Sequence, residues 1–139
     1  MALGFFDFLG FGSKRRSALQ LLDRTLTDLE VNPAYIDDGM RFAIYKWALV
    51  MEASDGRSSI VDQAMREAGA LISFCVLGPA ETEALWGASV RAEREARFDA
   101  VIAQGQEESF DAMLIKLVLA KGIAAPDIRS KVNLETDAV

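Results

Sequence analysis

Apolar positions recur along the chain at helical spacing. Between Met40 and Ala53 only Arg41, Lys46 and Glu52 carry charge, and Met40, Ile44, Trp47 and Met51 fall at alternating four- and three-residue steps. Phe42, Ala43, Leu49 and Val50 widen that stripe. A helix this apolar needs neighbours on more than one side, so the pattern predicts the central helix of a bundle, with Trp47 in its core. A first bundle helix is predicted from Ser17 to Glu30. Ser17 and Gln20 have capping-box spacing, and Leu19, Leu22, Leu26 and Leu29 form one stripe. Asn32-Pro33 stops it, Pro33 suits a first helical turn, and Asp37-Asp38 suits the N-terminus of the helix that follows.

Asp55-Gly56 reads as a turn. Ser59 then offers an N-cap with Asp62 three residues on, and Ile60, Ala64, Ala68, Leu71 and Cys75 share one side of the next helix. No charge occurs from Ala68 to Leu77, so that half is expected to be buried against the central helix. Gly78-Pro79 stops one helix and starts another, running to Ala103 with a bend at Gly87 and i,i+4 pairs at Arg91–Glu95 and Glu93–Arg97. A fifth helix covers Glu107 to Lys121, with Phe110, Met113, Leu114, Leu117 and Val118 inward and Gly122 as its C′ residue. Beyond Ile123 the pattern predicts one short turn after Pro126 and then a fraying polar tail. The expected architecture is an all-α, single-domain bundle of five main helices over residues 17–122. An apolar and basic N-terminal arm, residues 1–16, precedes it, and a C-terminal tail, 123–139, follows.

Composition narrows the chemistry. At 139 residues, 51% hydrophobic and 26% charged, the chain is long enough for one sizeable core. Its net charge of −6 disfavours nucleic acid as a partner, since phosphate-backbone binding needs a basic surface. There is no histidine, which removes Ser-His-Asp and Cys-His nucleophile activation and His-containing metal sites. Cys75 is the single cysteine and cannot form an internal disulfide, a usage that suits the cytosol. It lies on an apolar stripe, where burial keeps a thiol protonated. The Glu pairs at 81/83, 93/95 and 107/108 do not point the same way on a helix, so they read as solvated faces. The expectation is a protein that is not an enzyme.

Two places remain. Asp55 and Asp62, with Glu52 nearby, bring carboxylates to one helix N-terminus, and hard divalent cations take several oxygens. The alternative is that Asp55 makes the turn and Asp62 caps the helix; the glycine directly after Asp55 departs from an EF-hand loop. The second place is the N-terminal arm. Phe5, Phe6, Phe8, Leu9 and Phe11 lie in a run too short to span a bilayer, and Lys14, Arg15 and Arg16 follow it, the reverse of a secretory signal. If a helix starts at Ser17, three cations crowd its positive end, each costing about a few tenths of a kcal/mol. An anionic partner explains them. The arm is therefore expected to dock on an anionic membrane surface or a protein partner. Folding back as an extra helix that closes the bundle, and self-association into a homo-oligomer, are the alternatives.

Ala48 to Asp62, ALVMEASDGRSSIVD, resembles the TerB-like (tellurite-resistance B) domain, in which an apolar helix ends in A-D-G and an acid follows seven positions after the aspartate. Here Ser54 replaces the alanine, and Asp62 stands for the usual Glu. LGPAETEAL, Leu77 to Leu85, is similar to that family's L-S-x-E-E-x-x-x-L start of the next helix. The second helix-D-G repeat is degraded, Lys121-Gly122 standing where the aspartate would be. The resemblance implies an all-helical stress-response protein at the membrane surface. It also implies a divalent cation on acidic residues, which the lost second aspartate weakens.

Overall fold

In the computed structural model the backbone is described for residues 2–57, 59–105 and 107–137, and side chains for 12–57, 59–105 and 107–132. Those residues are helical with no strand, which bears out the all-α class. Helix α1 (Ala2–Asp28) leads through one 3₁₀ turn, Pro33–Tyr35, into α2 (Asp38–Asp55). Then come α3 (Ser59–Leu77), α4 (Pro79–Trp86), α5 (Ala88–Ala103), α6 (Phe110–Lys121) and α7 (Pro126–Asp137).

Three differences from the expected plan appear, and the last two raise the count of five main helices to seven among the described residues. First, α1 does not begin at Ser17 but runs through it from Ala2; Gly4, Gly10 and Gly12 lower helix propensity there, but no proline interrupts. Ser17 is therefore not a cap. Second, the long helix from Pro79 divides at Gly87, whose φ of 96° and ψ of 169° are incompatible with helix continuation. Third, the segment expected to fray after a short turn continues as α7. Ile128 explains this: it is fully buried, and the Ala125 N–H donates to the Cys75 carbonyl at 2.9 Å, seating the start of α7 on the end of α3.

The central helix is α3 rather than α2. Eleven of its nineteen residues are buried, from Ile60 to Cys75, whereas α2 buries only Met40, Ile44, Tyr45 and Ala48. Phe42 and Val50 on α2 are 56% and 60% exposed. Trp47 is only half-buried, at the margin between α2 and α6, so its expected place in the core is also corrected. Helix α1 packs along α3 through Ala18, Leu22 and Leu26, a strict i,i+4,i+8 row. The two helices approach closely at Gly69: a Cβ there would stand 2.6 Å from Thr25 Cγ2 and 3.0 Å from its Cβ. Ser73 Oγ donates to the Leu29 carbonyl at 2.9 Å where α1 ends.

Capping follows local chemistry. Asp37 accepts from Met40 N–H at 2.9 Å at the start of α2 and is also held by Lys121 at 3.0 Å. Both contacts lower its pKa, the backbone hydrogen bond most. Ser109 caps α6 by accepting from Ala112 N–H, and Gly122 takes the left-handed C′ position as its place in the pattern suggests. At the end of α1 the same left-handed position falls on Glu30, φ 65°, with Val31 N–H donating to the Leu26 carbonyl. The expected Glu93–Arg97 pair gives way to a better one. Arg97 makes a two-pronged contact with Asp111 of α6, at 2.9 and 2.8 Å, and also donates to the Glu67 carbonyl of α3 at 2.9 Å.

These placements rank two aromatic truncations. Phe98 is fully buried against Phe74, ring centroids 5.9 Å apart. Phe98→Ala is expected to cost about 3–5 kcal/mol in urea denaturation. Trp47→Ala is expected to cost less than half as much, and equal losses would return Trp47 to the core.

Candidate functional site

The candidate docking residues lie on α1. Ala18 is the first buried side chain described along the helix, and Ser13 to Ser17 are all exposed. Phe5, Phe6, Phe8, Leu9 and Phe11 sit on the helical backbone of the first three turns, while their side chains lie outside the described residues. Because the helix is unbroken, Lys14, Arg15 and Arg16 are at its middle and not at its positive end. The dipole argument for an anionic partner therefore falls. What replaces it is the arrangement of the three cations themselves.

Lys14 is satisfied within the fold. Its Nζ lies 2.7 Å from Glu52 Oε1, tying α1 to the last turns of α2, and this hydrogen bond is the chief reason its pKa is raised. Glu52 Oε2 is buried and has no partner among the described residues. Arg15 and Arg16 have neither hydrogen bond nor ion pair among the described residues. They line an open groove of about 420 Å³ with Gly12, Leu19, Gln20 and Asp23 of α1 and Arg41 of α2. The spacing 12, 16, 19, 20, 23 is one face of α1, which is why these residues share a groove.

Arg41 is held differently from its neighbours. Its Nε donates to the Ile36 carbonyl at 3.0 Å, one terminal nitrogen to the Pro33 carbonyl at 2.7 Å, and the other to Asp23. The Asn32-Pro33 turn, capped by Asn32 accepting from Ala34 N–H, presents those two carbonyls. Sequence reading treats Arg41 only as one of few charges on an apolar helix. No local signal links it to Asp23, eighteen positions earlier.

The acidic candidates are occupied separately. Asp55 is the last residue of α2, and Gly56 follows at φ 82°. Asp55 accepts two hydrogen bonds from one edge of the Arg57 guanidinium, and that contact lowers its pKa. Asp62 stands exposed in the first turn of α3, and Glu52 belongs to Lys14. Among the described residues no three Asp, Glu, Cys or His side chains form a group able to hold a metal ion. Cys75 is buried, and burial pushes its thiol up to about 12, which keeps it protonated near neutrality.

A second groove, about 290 Å³, lies between α2 and α6. Trp47, Ala112, Met113 and Leu117 give it apolar walls, and Glu108 and Lys116 stand at its rim. Sequence reading assigns Trp47, Met113 and Leu117 to the core, and their partial exposure follows from α2 lying at the side of α3. Comparison with protein-family models, curated proteins and solved structures finds no match to this chain.

Proposed function

We propose that this protein is a non-catalytic helical interaction module that docks on an anionic membrane surface through the first half of α1, in the cytoplasm. One observation carries the reading. A single helix joins an apolar run, 2–11, to exposed Arg15 and Arg16, and Ala18 is the first buried side chain described along it. Transferring a Phe or Leu side chain to an apolar environment is worth about 1.5–3 kcal/mol. Each cation near an anionic leaflet adds about 1 kcal/mol. Lys14 is already paired, so Arg15 and Arg16 supply this term. The helix is preformed, which lowers the ordering cost of docking. The net charge of −6 opposes approach, so binding is weak and salt-sensitive. Among the described residues no single helix is long and apolar enough to cross a membrane.

A TerB-like cation-binding role is the second reading. The helix–Asp-Gly–helix hairpin favours it: Asp55 closes α2, Gly56 turns the chain, and Asp62 opens α3. The pairing of Asp55 with Arg57 opposes it, since a cation would have to displace a guanidinium.

Two measurements test these readings. In co-sedimentation the wild type is expected to pellet with vesicles containing phosphatidylserine, to stay soluble with phosphatidylcholine alone, and to be released by about 0.5 M salt. Phe5→Ser/Phe8→Ser is expected to abolish pelleting without lowering the melting temperature. A wild type that never pellets, together with a variant that melts early, makes these residues part of the bundle and removes the membrane reading. In calorimetric titration with calcium, binding that Asp55→Asn abolishes would establish the second reading. The expected result is no heat.

A further inference from the structure

The groove beside Arg15 and Arg16 concentrates positive charge. Three guanidinium groups, from Arg15, Arg16 and Arg41, face one carboxylate, Asp23, in a chain whose net charge is −6. Among the described residues Arg15 and Arg16 have no ion pair, and lining one groove with Arg41 the three like charges repel one another. A bound anion removes that repulsion. Lys14, the third member of the same basic run, has its partner in Glu52, away from the groove.

The chemistry of the three groups narrows the anion. Arginine presents a planar fork of N–H donors that matches the oxygens of phosphate or carboxylate two at a time. Arg41 has five N–H bonds and spends three on Ile36, Pro33 and Asp23, leaving one on each terminal nitrogen. The two carbonyls and Asp23 also fix its orientation, so it costs little to order on binding. Arg15 and Arg16 supply the adjustable arms. Donors from three directions exceed what one carboxylate accepts and suit the oxygens of a phosphate. Gly12 lines the groove at an open position, where a Cβ would meet nothing within 4 Å and a long side chain would project into the groove.

We propose that Arg15, Arg16 and Arg41 form a binding site for a phosphate group. The proposal rests on the membrane-docking reading only for the source of that group, a lipid headgroup carrying a phosphomonoester. Recognition of the phosphate itself is independent of it. The site lies on α1 directly after the apolar run, so a helix lying on a membrane would bring the groove to headgroup level.

The test uses the full chain and two probes. Calorimetric titration with inorganic phosphate is expected to show weak binding by the wild type. Binding should be at least about tenfold weaker in Arg15→Gln/Arg16→Gln, since charge-assisted hydrogen bonds are lost. Gly12→Leu keeps every charge and favours the helix, but intrudes on the groove. It is expected to weaken phosphate binding without lowering the melting temperature. The second probe compares vesicles containing phosphatidic acid with phosphatidylserine vesicles of equal surface charge. Tighter binding to phosphatidic acid, lost in Gly12→Leu, identifies the lipid headgroup as the source. Phosphate binding that depends on both variants, with no preference between vesicles, supports the site and makes free phosphate its ligand. No phosphate binding, or binding unchanged in both variants, overturns the proposal; if vesicles still pellet the protein, the docking reading survives. Phosphate binding with no pelleting on any anionic vesicle overturns the docking reading and leaves the site standing.

Discussion

Helix α3 buries more of its residues than any other helix among the described residues, and the rest of the molecule is arranged by what can lie against it. A tight constraint is at Gly69, where the absence of a side chain lets Thr25 of α1 come within a distance that any Cβ would forbid. This contact sets the position of α1, and the buried row Ala18, Leu22 and Leu26 continues it. The backbone of α3 is also anchored from outside. Its Glu67 carbonyl accepts from Arg97 of α5, and its Cys75 carbonyl accepts from Ala125 at the start of α7. Gly78 completes the arrangement: at φ 87° it turns the chain sharply out of α3, in a corner where Asp127 stands 2.5 Å from where a Cβ would be. A buried helix thus fixes the places of α1, α5 and α7 through a few backbone-level contacts.

The candidate site is a consequence of that arrangement. Helix α1 is 27 residues long, and Ala18 is the first buried side chain described along it. The Lys14–Glu52 pair joins α1 to α2, and the Asn32-Pro33 turn brings Arg41 alongside. Charge is used economically elsewhere: Arg97 with Asp111, Lys121 with Asp37, and Lys131 with Glu95 and Asp99 all join different elements.

Much of the helical plan is legible in the sequence because local chemistry encodes it. Asn32-Pro33, Asp37, Gly78-Pro79 and Gly122 mark helix ends that the structure has, and Phe110, Leu114 and Val118 are buried as their spacing implies. What is lost is ranking between helices. The segments at 40–53 and 59–77 are both strongly apolar, and no periodicity says which is the more surrounded. Trp47 is misplaced for that reason. Ser17 and Gln20 have the right spacing for a cap, yet a capping motif acts only where the preceding chain is not already helical. The tail is misread because α7 depends on one buried side chain, Ile128, and a backbone bond to Cys75, fifty residues away. The groove is hidden in the same way, since Arg41 reaches Asp23 only after α1 and α2 have packed.

The central claim is that α1 is one helix with two fates, its second half core and its first half a surface for docking. Residue-resolved hydrogen exchange, measured with and without phosphatidylserine vesicles, tests this most directly. The account predicts that amides in 18–28 exchange as slowly as those of α3 in both conditions. Amides in 5–16 exchange fast in free protein and slow down only when vesicles are present. Equal protection of 5–16 and 18–28 in the free protein, unchanged by vesicles, would contradict it and make the whole of α1 part of the core.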